Sequence, residues 1–114
     1  MDNVAVSRLD ERIIDDAVNR LVSIVDPLKI ILFGSYAYGK PRKGSDLDIL
    51  VVVNNKTKSR YETAVKCYGA LRDVPVSKDV VVATPSMIRE WSGVPESFIS
   101  TIVNKGRVVY EKKD

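Results

Sequence analysis

Two aspartates near the middle of the chain have the type and spacing of ligands for a divalent cation. Asp46 and Asp48 stand at the start of a run, residues 47–53, that is otherwise apolar and rich in β-branched side chains. On a β-strand, residues i and i+2 point to the same face, about 6.6 Å apart between their Cα atoms. Two carboxylates held this close repel each other, and burial adds to the cost. A hard cation such as Mg²⁺ relieves that repulsion, takes oxygen ligands and also binds nucleotide phosphates.

A third aspartate occupies a similar place on another predicted strand. Asp79 opens the valine-rich run 79–83. Carboxylates from two adjacent strands favour a two-metal site, in which one ion holds the phosphates and the other lowers the pKa of an attacking hydroxyl. A plainer interpretation also stands: Asp46 and Asp48 cap the turn before their strand. The D-x-D spacing by itself does not decide between the two.

A glycine-serine turn precedes the aspartates. Gly34 closes the apolar run 29–33 and is followed by a short segment that begins at Ser35. The layout of strand, glycine and helix start is typical of backbone N–H groups presented to a phosphate, and Ser35 can add a hydroxyl donor. Gly39 and Gly44 would let the connecting loop fold back towards the next strand. Taken alone, the segment also fits an ordinary tight turn.

The same segment matches most of a P-loop, and that interpretation is excluded. Residues 34–40 satisfy G-x-x-x-x-G-K, but the eighth position of a P-loop must be Ser or Thr, whose hydroxyl binds Mg²⁺. Here the eighth position is Pro41, which has no hydroxyl and disrupts the helix that should follow.

The composition removes several classes of site. None of the 114 residues is histidine, which excludes a Ser-His-Asp triad, a Cys–His pair and any zinc site that needs imidazole. Cys67 is the one cysteine, so no internal disulfide can form, and we expect it to be a small buried residue on a helix. Because no apolar run is long enough for a signal peptide or a membrane span, we expect a cytoplasmic protein without a membrane partner.

The charge of the chain is mildly basic. A formal net charge of +3 and a pI of about 9.0 could favour an anionic ligand such as a nucleotide, or could simply keep the protein soluble. The cationic stretches 40–43 and 56–60 are not interleaved with aromatic residues, as a single-strand nucleic-acid platform would be. The pattern therefore argues against nucleic acid as a partner.

Apolar periodicity and turn residues predict one α/β domain over residues 1–114, an α+β sandwich with a small sheet. The predicted order αβαβαβααβ comprises helix 7–26, strand 29–33, a turn or two of helix within 35–40, strand 47–53, helix 58–72, strand 79–83, helices 86–91 and 96–104, and strand 108–110. Thr84 as N-cap and Pro85 at the first helical position mark one helix start.

Two of the predicted helices carry an apolar side. In helix 7–26 the stripe comprises Leu9, Ile13, Ala17, Leu21 and Ile24, widened by Ile14, Val18 and Val25. In helix 58–72 the residues that share one side are Tyr61, Ala64, Val65, Tyr68 and Leu71.

The motif G-S-x-A-x-G-x5-S-D-x-D, residues 34–48, resembles the signature of the DNA polymerase β-type nucleotidyltransferase superfamily, and most closely its minimal MNT or MntA-type antitoxins. The resemblance implies a polymerase β-like fold, a small mixed sheet packed with helices, over a single nucleotidyltransferase domain. It also implies a nucleotide site and a metal site. Gly34, Ser35 and Ser45 would hold the triphosphate of ATP, and Asp46, Asp48 and Asp79 would be catalytic ligands of Mg²⁺, two ions in all, with Asp79 on the acceptor side.

The resemblance further implies a partner. Minimal members act as antitoxins by transferring AMP to a tyrosine of a HEPN-domain toxin. Larger members carry additional domains that hold other acceptors, and such domains are not part of this sequence. Two other hypotheses stay open from the residues alone: a non-catalytic binding module that neutralises a partner protein by steric cover, and a nucleic-acid binding protein.

Overall fold

The structure is a computed structural model that describes residues 8–37, 45–94 and 97–113. Its elements follow the predicted order: α1 (Arg8–Val25), β1 (Lys29–Phe33), a 3₁₀ turn (Gly34–Tyr36), β2 (Leu47–Val52), α2 (Arg60–Ala70), β3 (Lys78–Ala83), α3 (Pro85–Ser92), α4 (Phe98–Lys105) and β4 (Arg107–Glu111). Residues 38–44, which include Gly39, Pro41 and Gly44 of the loop and P-loop arguments, lie outside the described part of the chain. The predicted strands and long helices are confirmed, with ends that shift by a residue or two, whereas the helical segment predicted within 35–40 is described only as far as residue 37.

The four strands form one mixed sheet in the order β3-β2-β1-β4. β1 is antiparallel to both β2 and β4, whereas β2 and β3 are parallel. The parallel pair is joined through α2, the kind of crossover that parallel neighbours require. β2 therefore lies inside the sheet, as its apolar composition predicts, and β3 is an edge strand.

Helices cover both faces of this sheet. Ile49 and Val51 of β2 belong to a core formed with α1 and α2. The residues between and after them, Leu50 and Val52, point to the opposite face and pack with α3 and α4. A strand buried on both faces must be apolar at nearly every position, so a charged residue within β2 stands out.

The first helix packs onto the sheet through the middle of its predicted stripe. Ile14, Ala17 and Leu21 are buried. The helix ends where Asp26 adopts a left-handed φ of 45°, a conformation that aspartate tolerates better than most residues, directly before a proline. The prediction is wrong at one described position: Ile24 is 50% exposed, whereas Val22 and Val25 on either side of it pack against the core.

The second helix differs more from its predicted face. Ser59 is its N-cap and accepts a hydrogen bond from the backbone N–H of Glu62. Cys67 and Leu71 are fully buried and Ala64 packs against the same core, so the prediction for Cys67 is confirmed. Tyr61 and Val65 face solvent instead, with 78% and 53% of their surface exposed. The apolar pattern alone could not separate a core face from an exposed apolar face.

The third helix begins as predicted. The Thr84 side chain accepts a hydrogen bond from the backbone N–H of Met87, and Pro85 occupies the first turn. Among the described residues, no helix has both the length and the apolar character that crossing a membrane requires.

Candidate active site

The fold places two of the predicted carboxylates directly opposite each other. Asp48 is the second residue of β2 and Asp79 the second residue of β3, and the parallel register pairs them. Because β2 alternates faces, Asp48 lies on the side of Leu50, the face that α3 and α4 cover further along the strand. Asp46 precedes β2 by one residue. The two aspartates of the i, i+2 pair therefore differ in burial: Asp46 is exposed and Asp48 is half-buried.

The surroundings of Asp48 disfavour its negative charge. Burial, the largest cause, raises the pKa of the Asp48 carboxyl, and the neighbouring carboxylates of Asp79 and Asp46 raise it further. Asp79 and Asp46 are therefore both close enough to Asp48 to disfavour its negative charge.

Gly34 lies against the Asp48 side chain. Its φ of 73° is in the left-handed region, which glycine adopts at little cost. A Cβ atom on Gly34 would clash with a carboxylate oxygen of Asp48 and lie 3.2 Å from its Cγ. The reason is the sheet register: Phe33, the last residue of β1, pairs with Asp48. The glycine required here thus makes room for a carboxylate, a reason that the sequence analysis did not supply.

The 3₁₀ turn holds the remaining part of the predicted phosphate site. The backbone N–H of Ala37 donates to the carbonyl of Gly34 at 3.0 Å, which closes the turn around the half-buried Ser35. Ser45 is also half-buried and directly precedes Asp46. Both serines are thus near the ends of the strands that carry the site.

The carboxylates do not yet form a complete ligand set. Within residues 8–37, 45–94 and 97–113, no group of three or more acidic or cysteine side chains is close enough to hold a metal ion together. Asp46 and Asp79 are both exposed. The three-carboxylate metal site therefore stays a prediction. What the structure brings together is the register pair Asp48–Asp79, with Gly34 on the other side of Asp48.

The residues nevertheless fit a divalent cation chemically. Their donors are carboxylate oxygens, which Mg²⁺ prefers. Burial, followed by the charges of Asp79 and Asp46, raises the pKa of Asp48, and a cation would relieve this penalty on its charged form. Gly34 leaves one side of Asp48 free of side-chain atoms.

One tyrosine that the sequence analysis did not assign to the site contacts it. The Tyr68 hydroxyl of α2 accepts a hydrogen bond from the backbone N–H of Val80 at 2.9 Å and donates one to Oδ1 of Asp79 at 3.4 Å. Periodicity places Tyr68 on the apolar side of its helix. No spacing rule could have linked it to Asp79, because the contact depends on how α2 packs beside the sheet edge.

A cleft of about 830 Å³ runs along the free edge of β3, beyond Asp79. Arg60 at the start of α2 lines it and donates to the carbonyl of Val82 at 3.4 Å. The three aspartates do not line this cleft, so it is separate from the candidate site.

Comparison with known proteins decides the family. The sequence model of the nucleotidyltransferase domain matches residues 12–109, a span that includes Gly34, Ser35 and all three aspartates. The chain belongs to the nucleotidyltransferase domain family. The resemblance drawn from the motif is confirmed at this level. No curated protein matches this nucleotidyltransferase.

Solved structures similar to the nucleotidyltransferase include toxin–antitoxin complexes. A crystal structure of a toxin–antitoxin with AMP-PNP is 25% identical, with a TM-score of 0.53, and the match covers 87% of this chain and 74% of that one. Two mutant structures of the toxin–antitoxin MntA-HpeT are 21% and 22% identical, with TM-scores of 0.47 and 0.49. Those matches cover 84% and 87% of this chain and 72% and 73% of the other. The expected fold, a small mixed sheet packed with helices, is confirmed.

Proposed function

We propose that this nucleotidyltransferase transfers AMP from ATP to a hydroxyl of a partner protein, a tyrosine of a HEPN-type toxin, and thereby acts as an antitoxin. The observation that carries the proposal is a row of three residues: Gly34, directly after β1, lies against Asp48 of β2, and Asp48 is the register partner of Asp79 of β3. It sets a turn suited to phosphates on one side of the carboxylates and leaves an exposed carboxylate for the acceptor on the other.

The similar solved structure supports the choice of nucleotide and partner. It is a toxin–antitoxin determined with AMP-PNP, an analogue of ATP. A match that extends over most of both chains supports the same kind of nucleotide, and the same kind of partner, for the present protein.

Asp46, Asp48 and Asp79 would hold Mg²⁺, as two ions. The ions would neutralise phosphate charge and make the acceptor hydroxyl easier to deprotonate. Gly34 and Ser35 would bind the triphosphate through backbone N–H groups and a hydroxyl, with Ser45 beside them. Asp48, at the centre of the row, and Asp46, two residues before it, would face the phosphates.

The transfer itself would place Asp79 beside the acceptor. The hydroxyl oxygen attacks the α-phosphorus, the bond from that phosphorus to the bridging oxygen breaks, and pyrophosphate leaves. The hydroxyl proton passes to the Asp79 carboxylate. Asp79 suits this role because it is exposed and lies in the edge strand, where a docked protein can reach it.

Acceptor positioning favours a protein over a small molecule. Positioning supplies a large share of the catalysis of such transfers. Asp46 and Asp79 are open to solvent, and the nearby cleft does not include them. A docked partner could hold its own tyrosine beside Asp79, which a free sugar could not do as well.

The test is incubation of the protein with each labelled nucleoside triphosphate, Mg²⁺ and the product of the neighbouring gene, followed by mass measurement of both proteins. We expect one AMP, or a short run, on a tyrosine of the partner, only with Mg²⁺ and preferentially from ATP. Efficient transfer to sugars, aminoglycosides or nucleic-acid ends without the partner would contradict the proposal.

A non-catalytic binding module is the second candidate, and the exposed apolar side chains of α2 favour it. Tyr61 and Val65 are the kind of residues that partner surfaces cover. Co-expression with the toxin separates the two candidates. Asp48→Asn should lose protection if transfer neutralises the toxin, and should keep it if steric cover is sufficient.

A further inference from the structure

The Tyr68 hydroxyl already lies where the proposed reaction needs an acceptor. It is 3.4 Å from Oδ1 of Asp79, the carboxylate that would take the acceptor's proton. Its other hydrogen bond comes from the backbone N–H of Val80 at 2.9 Å, which leaves the phenolic O–H free to point at Asp79. The Tyr68 side chain is 42% exposed, so core packing does not lock the ring in place.

We propose that Tyr68 is itself an acceptor, so that the protein transfers AMP from ATP to its own Tyr68 when no partner is docked. This inference rests on the proposed function. The phenolic oxygen of Tyr68 attacks the α-phosphorus of ATP, and a phosphodiester bond forms. The bond to the leaving pyrophosphate breaks, and the proton goes to Asp79. ATP is the one co-reactant that the step needs.

Intramolecular placement favours Tyr68 over Tyr61 and Tyr36, and Tyr110 packs against the core from β4. A hydroxyl held beside the reacting groups reacts as if present at very high concentration. Tyr61 is more exposed but stands two turns earlier on α2, against the cleft rather than Asp79. Tyr36 is 4% exposed within the core, where burial, followed by the nearby Asp10, raises the pKa of its hydroxyl.

The first test is a peptide-mass experiment on the full chain. The protein is incubated with ATP and Mg²⁺ without a partner and digested with trypsin, which should place Tyr61 in peptide 61–66 and Tyr68 in peptide 67–72. We expect the added mass of one AMP on peptide 67–72. Label on another peptide, or on none, overturns the inference.

Matched variants check the assignment. Tyr68→Phe should reduce labelling to the background found without Mg²⁺, and Tyr61→Phe, a tyrosine of the same helix, should label like the parent. If Tyr68→Phe labels as strongly as the parent, the acceptor lies elsewhere.

A second test needs neither nucleotide nor metal. Amide hydrogen exchange of Val80 should be faster in Tyr68→Phe than in the parent, because the hydroxyl that accepts its N–H is gone. Tyr61→Phe should leave that exchange unchanged. Equal Val80 exchange in Tyr68→Phe and the parent would show that the hydroxyl is not held at the strand edge, and would overturn the inference.

A parallel reaction with the partner separates failure of this inference from failure of the proposed function. AMP on the partner with none on Tyr68 would overturn self-modification alone. If neither protein gains AMP, both the proposed function and self-modification are wrong.

Discussion

Asp48 combines partial burial with two like charges, so its charged form should oppose folding unless a cation is bound. Asp46→Asn and Asp48→Asn should each abolish transfer, yet melt without Mg²⁺ at a temperature no lower than that of the parent. The direction of this stability change follows from the raised pKa of Asp48. The contribution of protonated Asp48 to the free energy of unfolding is present at low pH and is lost as pH rises through the folded-state pKa. Asp73→Asn, at an exposed position outside the site, is the control. Near-parental transfer by Asp46→Asn or Asp48→Asn would refute the metal assignment.

Asp79 should matter more for the acceptor than for the nucleotide. Asp79→Asn keeps the shape of the side chain but removes the proton acceptor. We expect it to retain Mg²⁺-dependent ATP binding, measured by calorimetry, better than it retains transfer to the partner. A loss of ATP binding as severe as that of Asp48→Asn would place Asp79 on the nucleotide side instead.

Gly34 and Ser35 should respond differently to substitution. Ser35→Ala should weaken ATP binding by about 1–3 kcal/mol, the loss of one hydrogen bond to a charged group, with little change in stability. Gly34→Ala should lower both affinity and stability, because it adds a side chain at a positive φ and against Asp48. Titration and urea unfolding of the two variants measure this contrast. Parental ATP affinity in Ser35→Ala would remove Ser35 from the site.

At this scale part of the arrangement of the candidate site could be predicted from the sequence. The alternation of a strand is local, so it places Asp46 and Asp48 on one face from their spacing alone. The contact between Gly34 and Asp48 and the one between Tyr68 and Asp79 depend on strand register and on helix packing. Both are non-local, which is why residue types did not predict them.

At the scale of elements, Gly106 lies between α4 and β4, at a position with no room for a side chain. A Cβ atom there would lie 2.5 Å from the carbonyl oxygen of Ile102 and 2.8 Å from that of Leu32. Gly106→Ala should cost about 1–3 kcal/mol of unfolding free energy, because backbone atoms must shift.

Gly69 in α2 provides the opposite case. A Cβ atom there would meet nothing within 4 Å. Gly69→Ala should therefore raise the unfolding free energy, by at most about 1 kcal/mol, through helix propensity. Urea unfolding of both variants tests the pair, and a Gly106→Ala variant as stable as the parent would show that α4 is not held tightly against the sheet.

The elements themselves were largely predictable, and the exceptions have a physical cause. β1 and β2 are continuous apolar runs closed by turn residues, and Thr84-Pro85 is a local start signal. The outward face of α2 was not predictable, since Tyr61 and Val65 are as apolar as residues of a core. Periodicity reports which residues share a side, but not whether another element covers that side.

For the molecule as a whole, the Cys67 thiol makes the free energy of unfolding depend on pH in the alkaline range. Burial raises the pKa of this thiol to about 11, whereas the pKa of a cysteine in an unfolded chain is about 8.5. Its stabilising effect is fully present below the unfolded value and is lost as pH rises towards about 11. We expect the unfolding free energy of the parent to fall more steeply across this range than that of Cys67→Ala. Equal slopes for the two proteins would contradict the assignment.

The order of the strands in the sheet could not be predicted from the residue patterns of the sequence. The order αβαβαβααβ is compatible with several sheets, and the observed β3-β2-β1-β4 order brings together strands distant in the chain, such as β1 and β4. That order puts β3 at the edge and so exposes Asp79, while Asp48 stays inside the sheet.

An edge strand with three consecutive valines carries a risk of aggregation. Unpaired backbone groups beside Val80 and Val82 would offer a template for a strand of another molecule. Tyr68 occupies the N–H of Val80, and Arg60 reaches the carbonyl of Val82, so two helix side chains protect the edge as a neighbouring strand would. The tyrosine beside the carboxylates therefore also protects solubility, and loss of its hydroxyl would favour fibrous association through β3.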